Sequence, residues 1–148
     1  MHCFNKTMSQ SGNKFIKSMS LINLLPQTIK EELKNKTLLK IISGLNNFEL
    51  QSVNLISEAA FLGGADLIDI ACKPELVESA IKISSLPVCV SSVVPKLFKD
   101  SVEAGASLIE IGNYDTFYAK GINFSDKKVL NLTKETRDLL PQIPLSVT

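Results

Sequence analysis

The sequence holds a single histidine, His2, so no histidine stands in any segment patterned to build a core. That removes the side chain that most easily moves protons near neutral pH. It also removes the base a nucleophilic cysteine would need, which argues against a Cys/His centre. Cysteines number three, Cys3, Cys72 and Cys89, with spacings that fit neither a disulfide framework nor a zinc site. So sparse and odd a set fits a reducing compartment. No apolar run approaches the roughly 20 residues of a membrane span. Sixteen basic residues face fifteen acidic ones with no basic stripe, so neither nucleic acid nor a membrane surface is an indicated partner. Acidic residues are missing from the start of the chain. Lys6, Lys14, Lys17 and Lys30 stand there among serines, and the first acid is Glu31. An acid-poor, serine-rich start resembles an organelle-targeting segment, although the usual arginines are lacking. The plainer reading of residues 1–20 is a disordered extension, with Met8 or Met19 as alternative starts.

What is present is a repeat. Gly64-Ala65-Asp66-Leu67-Ile68-Asp69-Ile70-Ala71 returns 41 residues later as Gly105-Ala106-Ser107-Leu108-Ile109-Glu110-Ile111-Gly112. Each copy follows a helical pattern and reads as helix end, tight turn, buried strand with one acid. Strands are expected near residues 38–43, 67–72, 87–91, 107–112 and 143–148. Helices are expected from Pro26 to Lys36, after a capping box at Asn46 and Glu49, from Pro74, from Pro95, and from Ser125 to Pro141.

Alternating strands and helices predict a parallel sheet joined by right-handed crossovers. The doubly wound sheet and the closed barrel are the two architectures of that kind. After the first strand, Ser43-Gly44-Leu45-Asn46-Asn47 lacks the second glycine of a dinucleotide fingerprint, which weakens the doubly wound reading. The strand faces favour the barrel. Ile68, Ile70, Ile109 and Ile111 make one face suited to packing under helices. Asp69 and Glu110, set between small or aliphatic residues, make a face suited to a barrel lumen. That face is expected to be concave and free of helices, with Leu67 and Leu108 exposed on it.

Several words of this sequence resemble one family. They are Lys40-Ile41-Ile42-Ser43-Gly44-Leu45, Ile68-Asp69-Ile70-Ala71-Cys72 and Leu86-Pro87-Val88-Cys89-Val90-Ser91-Ser92-Val93. Glu110-Ile111-Gly112-Asn113, Leu130-Asn131-Leu132-Thr133-Lys134-Glu135-Thr136 and Ser146-Val147-Thr148 continue the match. Together, from about Leu38 to the last residue, they resemble the "hypothetical chloroplast reading frame" family of cyanobacteria and red-lineage plastids. Lys73 and Val94 depart from its pattern, which leaves loop chemistry there in doubt. The resemblance implies a TIM-type barrel and a home in the plastid stroma, or the cytoplasm if the source is cyanobacterial. It implies no reaction and no cofactor. Since a (β/α)₈ barrel needs roughly 250 residues, residues 21–148 are expected to form its N-terminal half only. That is about four and a half β/α units, truncated in strand five.

Asp69 and Glu110 hold equivalent places in strands two and four. Layers of a barrel lumen are filled from alternate strands, so the two carboxylates should share a layer. Such a pair can divide acid and base roles or bind a divalent cation. It can equally form a salt-bridged network with Lys40 of strand one, because a buried charge has to be paired. Lys40 as a Schiff-base nucleophile has no further support in the sequence. Asp69, Glu110 and Lys40 are therefore the catalytic candidates, and no residue is assigned to a metal. Ser43, Ser91, Ser92, Asn113 and Tyr114 line the expected rim as ligand-binding candidates. The stretch from Gly112 to Phe124 carries four of the nine aromatics and reads as a lid or as a loop pinned by its own rings. Two functions follow. One is an enzyme or binding protein for a small, phosphorylated or unphosphorylated metabolite. The other is a non-catalytic barrel that binds a regulator or partner protein.

Overall fold

The computed structural model describes residues 22–112 and 114–148. The extension read over residues 1–20, with its targeting and start-site readings, lies outside them, as does Asn113. The elements run α1 Gln27–Asn35, β1 Lys40–Gly44, α2 Leu50–Leu62, β2 Leu67–Ala71, α3 Pro74–Ser84 and β3 Val88–Ser91. A 3-10 turn at Pro95–Leu97 leads into α4 Phe98–Glu103. Then come β4 Leu108–Ile111, α5 Asp115–Tyr118, α6 Asp126–Leu139 and β5 Leu145–Val147. All five strands are parallel and lie in the order β1-β2-β3-β4-β5. A doubly wound sheet reverses direction at a switch point; this one does not. Sequential winding is that of the N-terminal half of a β/α barrel.

The repeat is visible in the backbone. Helix α2 ends with Ala65 N–H donating to Ala60 O (2.9 Å) nested around Gly64 N–H to Phe61 O (3.1 Å). Helix α4 ends with Ala106 N–H to Ser101 O (3.1 Å) around Gly105 N–H to Val102 O (3.0 Å). Gly64 at φ 76° and Gly105 at φ 111° make both turns in the left-handed region. Each turn then feeds a strand whose isoleucines face the helices. Ile68, Ile70, Ile109 and Ile111 are fully buried in one cluster with Val53, Leu76, Val77 and Phe98 from the helices. Burying each such side chain contributes about 1.5–3 kcal/mol.

Two expectations need correction. The cap of α2 is Glu49 rather than Asn46. The Glu49 carboxylate accepts the N–H groups of Gln51 and Ser52, while Asn47 accepts that of Glu49. Nor is the concave face free of helices. Leu25, just ahead of α1, and Ile29 within it pack on Leu67 and Cys89, leaving Leu67 only 1% exposed. A helix ahead of the first strand has no crossover to make, so its apolar stripe is available to cover the floor of the sheet's inner face.

Candidate functional site

Strand β2 holds Asp69 at its centre and β4 holds Glu110 near its C-terminal end. Asp69 registers with Cys89 and Cys89 with Leu108; Glu110 lies two residues beyond. Barrel strands tilt and stagger, so level positions are displaced from registered ones. Lys40, the first residue of β1, spans the gap. Its Nζ donates to Glu110 Oε2 at 2.7 Å and to Asp69 Oδ2 at 3.4 Å. The Ser91 hydroxyl donates to Asp69 Oδ1 at 2.6 Å. The carboxylates are nearly sealed, with side chains 1% and 2% exposed, while that of Lys40 is 23% exposed.

Burial opposes the charge on Lys40, yet the hydrogen bond to Glu110 and the charges of Asp69 and Glu110 outweigh it. The net effect raises its pKa. At neutral pH Lys40 is thus a fixed cation, and a free amine for Schiff-base chemistry is not available. Cys89 lies against Asp69. Burial and the charges of Asp69 and Glu110 push its thiol well above the ordinary value. Burial likewise raises Cys72 to about 11. Neither is a thiolate nucleophile. Ligand atoms of Asp69, Cys89 and Glu110 lie within 4.8 Å of one another, a spacing a metal ion could use. An ion there would have to displace the Lys40 ammonium and strip a reluctant thiol of its proton. The donor set therefore suits the lysine better than a metal.

The structure brings Lys40, Asp69, Glu110 and Ser91 into one cluster, with Cys89 beside them. Of the remaining candidates, Asn113 lies outside the described residues and Ser43, Ser92 and Tyr114 are engaged elsewhere. Ser43 accepts from Asn47 Nδ2 (2.9 Å), and Ser92 accepts the Val94 N–H (3.0 Å) in a local turn. Tyr114 is 8% exposed and packs into the helix-side core. Its ring lies 4.6 Å from that of Phe124, and Phe117 meets Phe124 at 5.3 Å. The aromatic stretch thus packs on itself. What sequence reading missed is a bridge from loop to helix, Asn46 Nδ2 to Thr116 Oγ1 at 2.8 Å, which joins the β1–α2 loop to α5. No local pattern marks that pair, since 70 residues separate them.

A family model described as "Protein of unknown function (DUF561)" matches residues 23–148. The chain belongs to that family. It is 56% identical over 119 residues to the "Uncharacterized protein ycf23" of Cyanophora paradoxa, covering 78% of this chain and 48% of that protein. It is 37% identical over 127 residues to the protein of the same name in Antithamnion sp., covering 86% and 46%. For the one in Cyanidium caldarium the identity is 37% over 117 residues, covering 79% and 47%. These relatives are plastid-encoded, and the chain spans about half their length. Among the described residues, no helix is long and apolar enough to cross a membrane.

Proposed function

We propose that this family's barrel is a stromal protein that takes a small metabolite at its C-terminal mouth and moves a proton on it. Asp69 and Glu110 form the acid–base pair, and Lys40 is the fixed cation that orders them. One observation carries this reading: a single ammonium held between two nearly sealed carboxylates from strands β2 and β4. Sites of β/α barrels are built at the C-terminal ends of different strands, and Glu110 stands at such an end. Two carboxylates in one enclosed layer can divide base and acid roles. The Glu110 side chain folds over Gly112, where the Thr148 hydroxyl also lies, so the carboxylate is held beside the end of its strand. A phosphate on the metabolite would be held after strands seven and eight, outside the five strands present here.

The test is a thermal-shift screen of a metabolite library on the full-length Cyanophora paradoxa relative. It is repeated on variants at the positions matching Asp69→Asn and Glu110→Gln. The reading expects a stabilising compound whose effect falls at least tenfold in apparent affinity in both variants. Compounds that bind the variants equally well would overturn it.

A second reading, a non-catalytic barrel whose mouth binds a protein, rests on the rim. Phe48, Val94, Leu97 and Ile122 follow the strands and are 43–52% exposed. An apolar rim of this kind suits a protein partner. Phe48→Ser with Val94→Ser would abolish such binding and leave a metabolite's thermal shift unchanged.

A further inference from the structure

We propose that the ligand of this site is an amphipathic amine. Its protonated amino group is set against Glu110, and its aliphatic body lies between α1 and the strands. The proposal rests on the reading of the Lys40–Asp69–Glu110 cluster as a ligand site and adds the chemical class of what that site takes.

The aliphatic body follows from the wall of the cavity. A hollow of about 430 Å³ lies between α1 and the inner face of the sheet, a size suited to a small molecule. Its apolar end is made by Leu67, Leu108 and Leu145, each the first residue of its strand. Leu25 and Ile29 cover that end from the helix side. Lys40, Glu110 and Ser146 are the polar side chains on the wall, and they stand together. Lys40 Nζ bonds Glu110 at 2.7 Å, and Ser146 registers with Glu110 across the β4–β5 pair. Along β4 the change from apolar to ionic is abrupt. Leu108 and Glu110 share one face of the strand two residues apart, so the two ends are separated by about 6–7 Å. A pocket that is aliphatic throughout and ionic at one end matches a molecule built the same way. The hollow opens past Leu33, which is 48% exposed, and this gives the ligand a way in.

The amino group follows from charge and from an open acceptor. One ammonium stands against two carboxylates, so with both acids ionised the cluster carries one negative charge in excess. Cys89 adds none, because its thiol is held well above its ordinary value. The Glu110 side chain is only 2% exposed, and its Oε2 is taken by Lys40. Its Oε1 lies over Gly112 and takes no hydrogen bond among the described residues. An enclosed charge in excess is costly until it is paired and hydrogen-bonded. A ligand ammonium brings the sum to zero and supplies a donor for Oε1. A neutral alcohol leaves the excess where it was. A carboxylate or phosphate doubles it. Of these head groups, only the amine removes the excess.

The experiment is calorimetric titration at pH 7 with n-hexylamine, n-hexanol, hexanoate and methylamine. It is run on the 148-residue chain and on the full-length Cyanophora paradoxa relative. Hexylamine should bind at least tenfold tighter than hexanol or hexanoate, which lack the ammonium, and than methylamine, which lacks the body. Glu110→Gln should erase the preference for hexylamine over hexanol. Leu108→Phe and Leu33→Phe fill the hollow from the sheet and from the helix, and each should weaken hexylamine at least tenfold. Leu33 is half-exposed, so its variant keeps the fold if Leu108→Phe does not; far-UV circular dichroism checks both. Leu55→Phe, at a position 69% exposed on α2 and away from the hollow, should change nothing. No binding of hexylamine to either protein would overturn the proposal. So would hexanol or hexanoate binding as tightly, or a preference for the amine that survives Glu110→Gln. A metabolite that needs Asp69 and Glu110 yet is not displaced by hexylamine would sink the amine and leave the acid–base reading standing. Hexylamine held through Glu110 but indifferent to Asp69→Asn would support the amine and remove Asp69 from the acid–base pair.

Discussion

Replacing Lys40 with methionine keeps a long apolar stem and removes a cation that both buried carboxylates share. In the native chain Nζ lies 2.7 Å from Glu110 and 3.4 Å from Asp69. Removing one partner of a buried ion pair costs about 3–5 kcal/mol, because a charge is left uncompensated. The Lys40 side chain retains 23% exposure, so water can reach the cluster, and a loss of about 2–4 kcal/mol is expected at pH 7. The triple variant Lys40→Met, Asp69→Asn, Glu110→Gln should recover most of that loss, since no charge is then left unpaired. The pH dependence gives a second signature. It lies at high pH. The Lys40 pKa of the native chain is raised above the ordinary 10.5. The corresponding stabilisation is therefore complete below pH 10.5 and is lost as pH rises through the higher folded-state value. Urea denaturation followed by far-UV circular dichroism, from pH 5 to pH 11, measures all of this. A Lys40→Met chain within about 0.5 kcal/mol of native at pH 7, the range of an ordinary surface change, would refute the shared-ammonium account.

Three further outcomes are expected. A Cβ at Gly105 would meet Ile81 Cδ1 at 2.9 Å with φ at 111°, so Gly105→Ala should cost about 1–3 kcal/mol. Adding Ile81→Val, which removes that methyl, should restore part of the loss in the same denaturation measurement. Cys72 and Cys89 should resist alkylation at pH 7.5 in the folded chain and react after urea unfolding, as read by peptide mass mapping; fast labelling of Cys89 would contradict the sealed floor beneath α1. Arg137 Nη1 donates to the carbonyls of Leu140, Pro141 and Ile143 at 3.3, 3.4 and 2.7 Å. Arg137→Ala should therefore cost about 1–2 kcal/mol and speed amide exchange in β5.

The strands, their parallel order and the direction of the isoleucine faces could be read from the sequence because their signals are local. Alternation marks Leu67 to Ala71, and the two copies of the repeat begin with the same glycine turn. The sequential strand order, which is not that of a doubly wound sheet, agrees with the missing second glycine after Gly44 and with the placing of Asp69 and Glu110 opposite the isoleucine face. Tertiary structure alone decided the rest. Pattern gives the same helix for α1 whether it lies outside the sheet or beneath it, and only the packing of Leu25 and Ile29 on Leu67 and Cys89 sets it under the inner face. Periodicity puts Lys40, Asp69 and Glu110 on one side of their strands. That one ammonium reaches both carboxylates depends on the stagger between β1, β2 and β4, which is a property of the sheet and not of any segment. The same holds for Tyr114 and Ser92. Their residue types suit a ligand, but the first is drawn into the helix-side core and the second into a turn, because neighbours distant in sequence or folded back upon them were already there to satisfy them.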